Sequence, residues 1–160
     1  ANSFRFSTQP APSRPANPLT WETPKGWKVA SSGSGMITVA FEVGGKAGQA
    51  RATIMALGGN GGGMLPNLNR WRNQVDLPPL KDLFQQSSSS FQIDGQEATL
   101  FDLAGNRGEP SSRSRILVCI LAREKRTWFF KMMGPYLTIE NNKNAFEELL
   151  SSVRFSENND

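Results

Sequence analysis

Histidine is absent from all 160 residues, and cysteine occurs once, at Cys119. Without an imidazole, Ser-His-Asp and Cys-His catalysis and histidine-bearing metal sites are excluded. A single cysteine allows no intrachain disulfide, no CxxC redox pair and no cysteine-rich zinc site. Cys119 lies inside Ile116-Leu-Val-Cys-Ile-Leu-Ala122, a fully apolar run, where a thiol serves as a small core hydrophobe. No metal or cofactor is expected. No stretch reaches the roughly 20 apolar residues of a membrane span. Charge of one sign is also scarce. Lys and Arg number 18 against 14 Asp and Glu, and Arg5 and Arg14 fall in an acid-free N-terminal stretch. A nucleic-acid-binding domain carries a more lopsided and clustered charge, so no nucleic-acid partner is expected.

The length suits one domain with a single core. Residues 1–18 are rich in Pro, Ser and Ala, have no apolar period, and read as a flexible linker. The chain begins at Ala rather than Met, as a mature or trimmed product would. Linkers of this composition follow the anchor of exported bacterial lipoproteins; a frayed terminus without a role fits equally. Residues 19–155 form the domain, and 156–160 a polar tail.

Within the domain, Leu19–Thr23 alternates as a short strand, Pro24-Lys-Gly26 turns it, and Trp27 opens the next. Ser31–Gly35 reads as a loop. Residues 36–43 and 50–57 form strands joined by a hairpin through Gly44–Gly48. A glycine-rich loop, Gly58–Gly63, leads into a helix over 64–76. There Met64, Leu68, Trp71 and Val75 share one face, and Pro66 fits the first turn. Leu77-Pro-Pro-Leu80 stops this helix, with a short helical piece over 81–86. Residues 91–94 and 97–103 pair around Asp94-Gly95. Residues 115–123 and 127–133 form a further hairpin, apolar at both parities and so covered on both faces. A helix over 138–152 closes the domain, with Asn142, Phe146, Leu149 and Val153 on its inner face. The fold class is therefore α+β: an antiparallel sheet built from hairpins with helices packed on its faces.

The segment Trp21-Glu-Thr-Pro-Lys-Gly-Trp27, together with this element order, resembles the Mog1/PsbP-like domains. The segment Asn67–Gln74 followed by Leu77-Pro-Pro-Leu80 looks like one found in uncharacterised exported proteins of planctomycete-type bacteria. The resemblance implies an α/β/α sandwich and a non-catalytic accessory protein, acting outside the cytoplasm, that binds a larger protein partner. It transfers no catalytic motif.

The candidate sites follow from these elements. The glycine loop lacks the Lys-Ser/Thr of a P-loop, since Met64-Leu65 stands in that place, and Pro66 removes an amide donor. The outer helix face is stronger. Asn67, Asn69, Arg70, Arg72 and Asn73 form the expected partner- or ligand-binding surface, held rigid by Trp71. The bland alternatives are an Arg72–Asp76 surface pair and asparagines that cap the loop carbonyls. Three of the four tryptophans (Trp21, Trp27, Trp71 and Trp128) are expected in the core, with Trp27 the most exposed. A small carboxylate-based hydrolase and an anion- or small-ligand-binding domain are the rival functions.

Overall fold

The computed structural model describes residues 18–34 and 37–156. Nearly all of the linker, the start of the expected strand at Met36 and the tail beyond Ser156 lie outside them. The elements are β1 (Leu19–Thr20), β2 (Trp27–Ser34), β3 (Ile37–Val43), β4 (Ala50–Gly58), α1 (Met64–Gln74), β5 (Ser89–Ile93), β6 (Gln96–Ala104), β7 (Ser114–Arg123), β8 (Arg126–Pro135), α2 (Tyr136–Ser152) and β9 (Arg154–Phe155). Single 3-10 turns cover Leu83–Gln85 and Pro110–Ser112.

Two antiparallel meanders make one seven-stranded sheet. β2-β3-β4 and β5-β6-β7-β8 join where β4 pairs with β8, giving the order β2-β3-β4-β8-β7-β6-β5. β1 and β9 form a separate two-stranded ladder that ties the entry of the domain to its exit.

The sheet is apolar on both sides because β7 and β8 carry hydrophobic residues at both parities. Leu117, Cys119, Leu121, Trp128, Phe130 and Met132 face α2, where they meet Ile139, Phe146, Leu149 and Leu150. Ile116, Val118, Ile120 and Phe129 face the other way, against Leu68, Trp71 and Val75 of α1. Each face therefore requires its own helix. The result is three layers, α1 over one face and α2 over the other, as the double-sided apolar strands imply.

Several expected boundaries shift for identifiable reasons. Ser31–Ser34 continues β2 instead of looping, because its backbone pairs with β3 across a register shift after Val29. The entry strand shrinks to Leu19–Thr20, the length β9 can pair with. Helix α1 ends at Gln74, before the prolines. Asp76 adopts a left-handed conformation (φ 65°), and Leu77 N–H returns to the Arg72 carbonyl at 2.8 Å, a turn of the Schellman type. Helix α2 starts at Tyr136, directly after Pro135 ends β8. Trp27, expected to be the most exposed tryptophan, is 8% exposed. Its indole donates to Asn142 Oδ1 at 3.1 Å, while Trp21 is only partly buried.

Two predictions follow from the packing. A Cβ on Gly134 would sit 2.5 Å from the Ala50 Cβ and 2.7 Å from its Cα, so the β4–β8 seam would have to open. Gly134→Ala should destabilise the domain by about 1–3 kcal/mol, whereas Gly44→Ala, with nothing within 4 Å, should unfold at the wild-type urea midpoint. Burial pushes the Cys119 thiol up to about 12. The unfolded thiol ionises first, so its contribution to stability is complete below pH ~9 and is lost as pH rises further. The stability difference between wild type and Cys119→Val should therefore change by up to about 1.4 kcal/mol per pH unit above that point. Cys119 should also resist thiol reagents until the chain unfolds.

Candidate functional site

The glycine loop turns the chain from β4 into α1 and is held from both sides. Gly59, Gly61, Gly62 and Gly63 all have positive φ, the region that glycine enters without a steric penalty. Gly59 N–H donates to the Lys125 carbonyl at 2.9 Å, and Gly61 and Gly63 N–H donate to Gly58 and Asn60 carbonyls at 3.2 Å. Gly62 N–H donates to Asn60 Oδ1 at 3.1 Å. With the four glycine amides engaged, one by Lys125 and three within the loop, they do not form a phosphate cradle.

The five side chains expected to form a recognition face divide into different roles. Asn67 is buried, and its amide nitrogen donates to the Gly61 and Gly63 carbonyls, each at 2.9 Å. It braces the glycine loop, the structural alternative raised by the sequence. Asn69 grips the Leu80 backbone in both directions. Its Nδ2 donates to the Leu80 carbonyl at 3.1 Å, and its Oδ1 accepts from Leu80 N–H at 2.7 Å. Arg72 donates to the Pro78 carbonyl at 2.8 Å and to Gln86 Oε1 at 2.5 Å. The Arg72–Asp76 pair does not form, because Asp76 lies past the helix end in the left-handed turn. Arg70 is exposed and held by Asn67 Oδ1 at 2.8 Å. Asn73 is exposed on the same helix.

The Asn69 and Arg72 contacts fix the return segment 77–86 against α1. That segment ends in a 3-10 turn closed by a capping box. Asp82 Oδ1 accepts from Phe84 N–H at 2.9 Å, and Gln85 Oε1 accepts from the backbone N–H of Lys81 and Asp82. On this turn Phe84 is 98% exposed, beside the 42% exposed Leu83. Sequence reading missed Phe84, since a hydrophobic pair in a short helical piece reads as core. The available signal was the Asp82-x-x-Gln85 capping pattern, which marks a rigid turn without saying which way it points.

A second missed group is Lys131. It stands in the apolar run Trp128-Phe-Phe-Lys-Met-Met133, opposite Thr53 of β4, where the edge of α1 meets the sheet. Burial and the charges of Arg70 and Arg51 hold its ammonium below the usual lysine range. A depressed lysine favours the unfolded chain while it remains protonated, so at neutral pH Lys131 works against folding. The Lys131 Nζ and the Arg70 guanidinium lie 5.8 Å and 5.5 Å from the centroid of the Trp71 ring.

The carboxylates are engaged differently. Arg115 is buried and takes Asp102 in a two-pronged bond at 2.8 and 2.7 Å and Glu140 at 2.6 Å, while Lys143 lies 3.8 Å from Asp102. These bonds raise the Arg115 pKa further. They pin α2 to β6 and β7, so this converging pair of acids is bridged by a cation. A wide, open groove between α2 and the edge strand β5 is lined in part by Trp21, Glu22, Phe91, Glu147 and Glu148. Among the described residues, no three His, Cys, Asp or Glu side chains gather as a metal site. No helix among them is long and apolar enough to cross a membrane.

No protein-family model matches the chain, and no curated protein matches it. Solved structures do. Over 92% of this chain and 98% of its own length, the cyanobacterial PsbP (CyanoP) of Synechocystis sp. PCC 6803 superposes with a TM-score of 0.51 at 12% identity. The Pseudomonas aeruginosa protein of unknown function PA94 is 13% identical over 74% of this chain and 82% of its own, with a TM-score of 0.47. A Bacteroides thetaiotaomicron VPI-5482 protein is 13% identical over 87% of this chain, with a TM-score of 0.48. The chain spans 45% of that longer protein. At such identities the likeness is one of fold: the antiparallel sheet with a helix on each face is similar to that of PsbP.

Proposed function

We propose that this domain is a non-catalytic accessory module that works outside the cytoplasm and binds a protein partner through Phe84 and the turn that carries it. The exposure of Phe84 on a braced turn is the observation that supports this reading. An aromatic ring left in water is unfavourable by about 25 cal/mol per Å² of apolar surface. A flexible loop would fold such a ring inward. Here the Asn69 and Arg72 bonds and the Asp82–Gln85 capping box hold it outward. Rigid aromatic anchors of this kind dominate protein–protein binding energies, because little side-chain entropy is lost when they enter a pocket.

On this reading the polar face of α1 takes part in recognition by positioning the anchor, with Arg70 and Asn73 left as rim groups at its edge. Extracytoplasmic placement is read from the linker composition of residues 1–18 together with the resemblance to PsbP-like domains. The acid pair at Arg115 is bridged by a cation and supplies no free general acid or base, which leaves the groove acids Glu22, Glu147 and Glu148 as the place where a hydrolase would be sought.

Affinity capture with the immobilised domain, followed by quantitation of the retained protein, tests the reading. Phe84→Ser should keep the wild-type Tm and lose at least about tenfold of partner affinity. Val29→Ser, which alters another exposed hydrophobic residue, should bind as wild type does. Equal capture by Phe84→Ser would overturn the assignment. Asn69→Ala leaves both Leu80 backbone groups without their partner and should cost about 1–3 kcal/mol of stability. It should also weaken capture, with faster amide exchange confined to residues 80–86.

A further inference from the structure

Arg51, Arg70 and Lys131 come from three different elements: β4, α1 and β8. In the β4–β8 ladder Lys131 stands opposite Thr53 and Arg51 opposite Met133. Arg51 and Lys131 are thus diagonal neighbours on the sheet face that α1 covers in part. Arg70, from the helix, and Lys131 both stand over the Trp71 ring, and the charges of Arg70 and Arg51 act on Lys131. None of the three cations forms an ion pair with a described carboxylate. Glu42 lies across the β3–β4 ladder from Arg51, yet the two do not come within ion-pair distance. The Trp71 indole is 2% exposed, and its Nε1–H is the one buried side-chain donor without an acceptor among the described residues.

Two exposed arginines around a half-buried lysine, with no counter-charge beside it, raise the energy of the folded state at Lys131. A fold needs no such cluster for stability. Lys131 sits where an apolar side chain would pack, within the run Trp128-Phe-Phe-Lys-Met-Met133 of β8. Such an arrangement marks a candidate functional site, and a positive cluster of this kind attracts anions.

We propose that Arg51, Arg70 and Lys131 form a binding site for a dianionic phosphate group, either inorganic phosphate or a phosphate monoester. A dianion balances more of the three charges than a single carboxylate does. Its oxygens, directed several ways, suit donors arriving from strand, helix and facing strand. The site lies off the N-terminus of α1 and is independent of the glycine loop, whose amides are engaged. Arg70 is shared with the rim of the Phe84 surface, whereas Arg51 and Lys131 belong to β4 and β8, so Arg51→Gln and Phe84→Ser test the two readings separately.

Titration with inorganic phosphate and with O-phosphoserine, at constant ionic strength set by NaCl, tests the site. Both calorimetry and Tm should be followed. Phosphate should raise Tm saturably and shift the Trp71 indole N–H resonance, assigned by its loss in Trp71→Phe. Tighter binding of O-phosphoserine would identify the ligand as a monoester, and tighter binding of inorganic phosphate as the free ion. Lys131→Met should raise Tm in phosphate-free buffer, because it removes an uncompensated cation, and should lower phosphate affinity at least about tenfold. Arg51→Gln changes an exposed side chain, so it should keep the wild-type Tm and also lose affinity. The proposal is overturned if phosphate acts no differently from NaCl, or if both variants bind it as wild type does.

Discussion

The pairing of β4 with β8 holds this molecule together. It joins two meanders that would otherwise be separate three- and four-stranded sheets. It also brings the two-faced apolar strands β7 and β8 to the interior of a seven-stranded array. Once those strands are central, neither face can be left to water, and a helix must lie on each side. Gly134 marks how tight the junction is, since no Cβ fits there against Ala50. The β1–β9 ladder then clips the chain's entry and exit across the α2 side, where Leu19 and Phe155 join the core.

The two helices meet this demand in different ways. Helix α2 is long, and it is pinned by the Arg115 cluster and by Thr138, whose hydroxyl donates to the Gly48 carbonyl at 2.6 Å. Helix α1 has three turns and a narrower apolar stripe, so it depends on its polar side chains for support. Asn67 holds the loop that leads in, and Asn69 and Arg72 hold the segment that leads out. Side chains that would look like free donors on an isolated helix are thus committed to backbone carbonyls. They position two groups in turn: Phe84, which points outward on the braced turn, and the Arg70 guanidinium, which Asn67 Oδ1 holds.

Much of the architecture was legible in the chain. The period of three and four in Met64, Leu68, Trp71 and Val75 marks the buried face of α1, and three of these residues are in its core cluster. The double parity of residues 115–123 and 127–133 requires two covering layers. The turn at Pro24-Lys-Gly26 is present, with Trp27 N–H bonded to the Pro24 carbonyl at 3.1 Å. The misplaced ends share a cause. β2 runs on through Ser31–Ser34 because a neighbouring strand supplies partners for a sequence with little strand propensity of its own. Trp27 likewise packs in the core against Phe41, and its indole N–H is satisfied by Asn142, 115 residues away.

The candidate site was legible only in part, and for a related reason. Composition alone ruled out imidazole chemistry and an intrachain disulfide, because a missing side chain is missing in every fold. The hydrophobic period alone set the sheet, the helices and their inner faces, because burial follows local pattern. Whether Asn69 meets solvent or the Leu80 backbone depends on where the chain returns after two prolines. The direction of Phe84 depends on the same return, and the meeting of Arg51, Arg70 and Lys131 depends on strand register and helix placement together. These are distances between segments remote in sequence, and only tertiary packing assigns them.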